Sequence, residues 1–184
     1  LFMAVLDTVW KGITQPHLIP GYLRTNVIWP THTWFHRDLL GRKGIEVMKE
    51  DWDNLMILDA CRYDMFKSVS TIQGNLKCVI SKGSATPEFL KKNFGGEYHY
   101  TVYVTANPSI DKHLQDDQFR AVIRPYITHW NEEYGTVMPD DMATVTEQAH
   151  EEYPDKRIIA HFIQPHQPFV GETGRKIYSD SEYT

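Results

Sequence analysis

The spacing of apolar and polar residues changes near residue 54 of this chain. Upstream, the apolar residues follow no sustained period and are interrupted by prolines, which favours short helices, one of them over residues 33–40. Downstream, short apolar runs alternate with segments of helical spacing. The pattern therefore predicts a helical or irregular extension over residues 1–50 and a folded domain over residues 51–184.

Four apolar runs beyond residue 54 predict β-strands. Two are continuous runs bounded by polar residues, which is typical of strands covered on both faces, and a third alternates aromatic and β-branched residues. In chain order the predicted strands are residues 55–58, residues 76–80, Tyr98–Thr105 and Arg157–Phe162. Helical spacing separates them over residues 86–94 and over Pro139–Glu152. This alternation predicts an α/β fold, a three-layer sandwich with a mainly parallel sheet.

Composition and net charge limit the kinds of binding partner and the cellular location that we expect for this chain. A chain of 184 residues with 41% hydrophobic content has room for one domain with a core. The net charge of -5 argues against nucleic acid or an anionic membrane as the main partner. The apolar start is interrupted by Asp7, so we expect neither a membrane span nor a signal peptide, and a cytoplasmic location is favoured. The two cysteines, Cys61 and Cys78, form no disulfide framework and are expected to be free, buried thiols.

The first candidate for chemistry is Asp59, at the carboxyl end of the first predicted strand. Ligands bind at that edge of open α/β sheets, and a carboxylate there suits a hard metal ion or a phosphate site. Capping of the next helix is an equally good explanation. Arg62 either binds an anion or pairs with Asp64, and the pairing is favoured. Cys61 and Arg62 are adjacent, which excludes the thiol phosphatase loop.

The second candidate is Thr86, between the predicted strand over residues 76–80 and the next helix. A hydroxyl at this position can help a helix N-terminus to hold a phosphate or sulfate group. With Pro87 at the first helical position, Thr86 is also the expected N-cap, and capping is the more common role for such a residue. The two roles are compatible, although a threonine nucleophile needs a metal or a base nearby.

Two further candidates follow later strands. His166 lies between Pro165 and Pro168, whose rings restrict the loop, as a positioned ligand or proton donor requires. Asn107 follows the third predicted strand, where a turn with Pro108 is the favoured explanation. The other histidines show no HxH or HExxH spacing and are interpreted as surface or packing residues. If the fold is right, Asp59, Thr86 and His166 should lie within about 10 Å of a common point.

The ordered combination of these segments resembles the sulfatase branch of the alkaline phosphatase superfamily, over roughly residues 51–171. Asp59-x-x-Arg62-x-Asp64 is similar to the family's signature after its first strand. Thr86 stands where the family carries its nucleophile, at the start of a helix followed by Gly95-Gly96. His166-Gln167-Pro168-Phe169 is similar to the family's later His-x-Pro-Phe segment.

The resemblance implies an alkaline-phosphatase-like fold and a metal-dependent hydrolysis or transfer of a phosphate or sulfate ester. Asp59 would bind a divalent ion (Ca, Mn, Zn or Mg), Thr86 would be the nucleophile, and His166 would contact the leaving group or the oxyanion. Asn107 and Arg62 would bind the substrate. The formylglycine motif Cys-x-Pro-x-Arg is absent, and Ala60 stands where a second acidic residue is common.

The family's downstream Asp-His pair and its final His or Lys have no counterpart in the 184 residues. The chain is therefore expected to be the N-terminal part of the catalytic domain, incomplete at its C-terminus and inactive alone. A phosphoglycerol- or phosphoethanolamine-type transferase and a non-catalytic sulfatase-like binding domain stay open as alternatives. A Rossmann-type nucleotide binder is disfavoured, because no glycine-rich loop follows the first predicted strand.

Overall fold

The computed structural model describes residues 19–35 and 44–180, which belong to two compact units, Leu1–Lys43 and Gly44–Thr184. The described part of the first unit is a helical run of α1 (Ile19–Leu23), a π-helical turn (Arg24–Ile28) and α2 (Trp29–Trp34). The helix predicted over residues 33–40 overlaps the end of α2, and beyond residue 35 it lies outside the described residues until residue 44.

The second unit is built on a four-stranded sheet in which every pairing is parallel. Its elements are β1 (Asn54–Leu58), α3 (Tyr63–Val69), α4 (Thr86–Asn93), β2 (Tyr98–Thr105), β3 (Phe119–Ile123), α5 (Pro125–Thr128), β4 (Trp130–Asn131), β5 (Thr136–Val137), α6 (Pro139–Glu152), β6 (Arg157–Phe162) and α7 (Glu172–Asp180). Short 3₁₀ turns lie at Val47–Lys49, Pro108–Lys112 and Asp116–Gln118. The strand order is β1-β6-β2-β3, and β4 and β5 form a separate antiparallel pair. The predicted α/β class and parallel sheet are confirmed.

The core lies on both faces of this sheet, because side chains alternate along its central strands. Val102 and Val104 of β2 are fully buried in a cluster with Met142 of α6. Tyr103, between them, points the other way and is buried with Phe94 in a cluster that contains α4 residues. Each such side chain contributes roughly 1.5–3 kcal/mol through its burial. Helices on opposite faces of a parallel sheet are compatible with a three-layer sandwich.

The strand predicted over residues 76–80 is wrong. These residues form no strand, and Leu76, Val79 and Ile80 are about half exposed, at 43%, 53% and 49%. The only pairing nearby among the described residues is a parallel bridge of Ser81 with Ile45. An apolar run becomes a strand only where a neighbouring strand pairs with its backbone, and here the described residues supply a single such hydrogen bond, from the Ile45 N–H to the Ile80 carbonyl at 3.0 Å.

Two further details differ from the expectations. The strand β1 is not covered on both faces among the described residues, since Met56 is 59% exposed. Both cysteines are free thiols, as expected, but Cys61 is only partly buried and Cys78 is exposed. No helix among the described residues has the length and apolar character needed to cross a membrane.

Candidate functional site

The candidate site lies at the edge of the sheet where parallel strands end. Asp59 directly follows β1, Asn107 comes two residues after β2, and the loop with His166 follows β6. Thr86 is the first residue of α4. All four residues line one open cavity of about 730 Å³. The structure thus brings the predicted residues together because parallel strands deliver their carboxyl ends to a common edge.

Asp59 is the centre of the polar contacts. Its Oδ2 accepts a hydrogen bond from the Thr86 hydroxyl at 2.9 Å and from Asn107 Nδ2 at 3.2 Å. Hydrogen bonds to an ionised carboxylate are stronger than those between neutral groups. The Asn107 amide also accepts from the Ser109 backbone amide at 2.9 Å, so the predicted turn and the contact to the site coexist in one side chain.

The backbone of Asp59 is hydrogen-bonded to β6 and to the loop that follows β6. Its N–H donates to the Phe162 carbonyl at 3.2 Å, and its carbonyl accepts from the His166 N–H at 3.1 Å. The next residue, Ala60, has a φ of 60°, in the left-handed region that non-glycine residues rarely adopt. Such conformations persist where the surrounding structure determines them, and they concentrate at functional sites. The chain therefore turns sharply after Asp59 and leaves its carboxylate facing the cavity.

The N-cap interpretation of Thr86 is wrong. The N-cap residue of α4 is Ala85, which has no capping side chain, and the Thr86 hydroxyl donates to Asp59 instead. The helix end is supported by Glu88, whose Oε2 accepts from the backbone N–H of Ser84 at 2.9 Å and from its hydroxyl at 2.8 Å. The Lys92 ammonium also binds Glu88, and these contacts, the Lys92 hydrogen bond first, lower the pKa of Glu88 to about 2.

The segment before α4 packs closely against that helix at Gly83. A Cβ on Gly83 would lie 2.3 Å from the backbone nitrogen of Phe89, far inside normal contact. Only glycine therefore lets the segment before Thr86 pass this close to the helix, which is one of the established uses of this residue.

His166 is exposed and lies at the mouth of the cavity. Its Nδ1 is 2.7 Å from the Gln167 carbonyl oxygen, which only accepts hydrogen bonds. Nδ1 therefore carries a proton, and in the neutral ring Nε2 holds the free lone pair. This tautomer suits Nε2 for accepting a proton or binding a metal ion.

Arg62 lines the cavity but is engaged elsewhere. Its guanidinium binds Asp64 through two hydrogen bonds, Nε to Oδ1 at 3.0 Å and Nη2 to Oδ2 at 2.7 Å. The Arg62 guanidinium holds the pKa of Asp64 below its ordinary value. Both side chains are more than half exposed, so this pair contributes little to stability. The predicted pairing is present, and an anion contact would require Arg62 to leave it or to use the three N–H donors that the pair leaves free.

Sequence reasoning missed His161, a polar residue of β6 that also lines the cavity. It is 1% exposed, and its Nδ1 lies 2.9 Å from the hydroxyl of Tyr103, which is itself fully buried. Burial lowers the pKa of His161 to about 4, although the nearby charge of Asp59 opposes this shift. Burial also raises the pKa of Tyr103 well above its ordinary value. The pair is therefore neutral at neutral pH.

A divalent metal ion needs several ligands, and Ca²⁺ takes six or more oxygens. Among the described residues, no group of three His, Cys, Asp or Glu side chains could hold a metal ion. Asp59 is the one carboxylate in the group that it forms with Thr86 and Asn107. These three residues alone therefore do not form a complete metal site. Neither a protein-family model, nor a curated protein, nor a solved structure matches this chain.

Proposed function

We propose that this chain carries the nucleophile part of an alkaline-phosphatase-like, metal-dependent enzyme that hydrolyses or transfers phosphate or sulfate esters. One observation carries the proposal: the Thr86 hydroxyl donates to Asp59 Oδ2 at 2.9 Å, at the end of a parallel strand. A nucleophilic hydroxyl needs a base or a metal at this distance, and Asp59 is the group that would supply either. The cavity of about 730 Å³ is within the range of small-molecule sites.

The residues would act as follows in the first step. Thr86 Oγ1 forms a bond to phosphorus or sulfur as its proton passes to Asp59 Oδ2, and the bond to the leaving alcohol oxygen breaks. Asn107 Nδ2, which lies 3.2 Å from the same carboxylate oxygen, would keep Asp59 oriented. The leaving oxygen takes a proton from solvent or from His166 in its protonated form. The first turn of α4 borders the cavity, and the positive end of the helix dipole favours an anion there.

The second step returns the enzyme to its starting state. Water attacks phosphorus or sulfur and gives a proton to the free lone pair of His166 Nε2. The bond to Thr86 Oγ1 breaks, and the hydroxyl regains its proton from Asp59. A divalent ion, which the family resemblance implies, would supply charge neutralisation for the ester oxygens. Asp59 is the ligand that this chain would offer, and the remaining ligands are not among the described residues.

The test is covalent labelling of Thr86. The 184-residue chain is incubated with an aryl phosphate or aryl sulfate and Mn²⁺, and peptides are searched by mass spectrometry for a phosphoryl or sulfuryl group. We expect the label on Thr86, slow or negligible turnover, no label with Thr86→Ala, and a retained label with Thr86→Ser.

Ser84→Ala is the matched control, because the Ser84 hydroxyl is held by Glu88 and not by Asp59. It should label as the unchanged chain does. A label on another residue, or equal labelling of the Thr86→Ala protein, would contradict the proposal.

A further inference from the structure

The buried pair of Tyr103 and His161 determines which ring nitrogen of His161 carries its proton. The Tyr103 side chain is fully buried, and its hydroxyl finds one partner among the described residues, His161 Nδ1 at 2.9 Å. A buried hydroxyl proton left without an acceptor costs about 1–3 kcal/mol. Tyr103 therefore donates to Nδ1. A neutral imidazole that accepts at Nδ1 carries its proton on Nε2.

The Nε2–H group is the part of His161 that remains available to the cavity. Nδ1 faces Tyr103, and the described residues provide no hydrogen-bond partner for Nε2. The ring nevertheless lines the cavity together with Asp59, Thr86 and Asn107. In register, His161 lies between Ile57 of β1 and Thr105 of β2, in the middle of the strand ends that form the site.

We propose that His161 binds the anionic group of the substrate as a neutral Nε2–H donor, with its tautomer set by Tyr103. The identity of the anion, a phosphoryl or sulfuryl group, rests on the function proposed above. The role differs from that of His166, whose Nδ1 donates to the Gln167 carbonyl and whose Nε2 is left as an acceptor. The hydrogen bonds at Nδ1 thus favour opposite tautomers of the two rings, so that Nε2 of His161 donates to the bound group and Nε2 of His166 holds the lone pair of the neutral ring.

The tautomer is measured directly by two-bond ¹H–¹⁵N correlation spectra of the imidazoles in the 184-residue chain. We expect the Nε2–H form for His161 in the unchanged protein. Tyr103→Phe removes the hydroxyl and should yield a mixture of tautomers. Inorganic phosphate, added with Mg²⁺, should shift the His161 Nε2 signal together with the amide signals of Thr86 and Asn107. An Nδ1–H form in the unchanged protein would overturn the inference, because Nε2 would then be an acceptor.

Variants separate the donor from a purely structural role. His161→Gln keeps an N–H group near the Nε2 position and should retain phosphate binding. His161→Phe keeps the volume without a donor and should weaken it about tenfold, the loss expected for one hydrogen bond to a charged group. Equal affinities of these two variants would overturn the inference. His150→Gln, at an exposed position of α6, is the control that should bind as the unchanged protein does.

The outcomes also distinguish this inference from the proposed function. If phosphate shifts Thr86 and Asn107 but not His161 Nε2, the anion site stands and the role of His161 is refuted. If phosphate shifts none of these signals, the proposed function and the anion role of His161 fail together. Thermal unfolding of each variant confirms that the compared proteins are folded.

Discussion

The hydrogen bond between Thr86 and Asp59 should be measurable as a coupling energy in protein stability. Thr86→Val replaces the hydroxyl by a methyl group of similar size and removes the 2.9 Å contact to Asp59 Oδ2. A hydrogen bond to a charged group contributes about 1.5–3 kcal/mol. Both side chains are only partly buried, so we take the lower end, about 1.5 kcal/mol. For a unit of this size the loss corresponds to a fall in Tm of roughly 3–6 °C.

The assay is urea unfolding of a double-mutant cycle of Thr86→Val, Asp59→Ala and the double variant, followed by circular dichroism. The coupling energy from the cycle isolates the contact between the two residues from their other interactions. We expect a coupling of about 1.5 kcal/mol, and near-normal stability for Thr86→Ser, which keeps the hydroxyl. Additive effects of the two substitutions, within about 0.3–0.5 kcal/mol, would refute the contact.

Two further expectations concern the segment around Thr86. Gly83→Ala should lose about 1–3 kcal/mol of unfolding free energy, because its Cβ would lie 2.3 Å from the Phe89 nitrogen, whereas Gly95→Ala meets nothing closer than 3.5 Å and should change stability little. Equal unfolding midpoints of the two variants in urea would contradict the close approach. Glu88→Gln should destabilise the chain above pH 4.5, the ordinary pKa of Glu88, and this difference should shrink as the pH falls towards the folded-state value of about 2. The effect should stay below about 1 kcal/mol, because the pair with Lys92 is partly exposed, and a difference in thermal stability that persists unchanged at pH 2 would contradict it.

Local pattern was sufficient for three strands and one helix of the second unit. The strands β1, β2 and β6 and the helix α6 begin and end within a residue of their predicted bounds, since apolar runs and helical spacing coincide there with buried partners. The edge strand β3 was missed. It spans five residues, and exposed Arg120 interrupts them. The remaining apolar run is too short to predict a strand from the sequence. The apolar run at residues 76–80 shows the converse, because local pattern contains no information on pairing.

The candidate site was predictable to the extent that it follows strand ends. Asp59 and Asn107 come just after apolar runs, and a parallel sheet brings such positions together. His161 lies inside its strand, where a polar residue gives no local signal of which way it faces. Only the folded structure shows that the His161 ring lines the cavity, with its Nδ1 held by the Tyr103 hydroxyl. The hydrogen bond of the Thr86 hydroxyl was likewise not predictable from local sequence. The hydroxyl donates to Asp59, a carboxylate 27 residues earlier, instead of capping the helix.

The left-handed backbone conformation at Ala60 determines which substitutions this position can accept. With a φ of 60°, this position disfavours bulky and β-branched side chains, whereas Asp and Asn visit the conformation more readily than other residues that carry a Cβ. Replacement of Ala60 by Asp would therefore add a second carboxylate beside Asp59 without a change in backbone conformation. The variant would present two adjacent acidic side chains at this turn instead of one, which is closer to the oxygen-rich sites that divalent ions prefer.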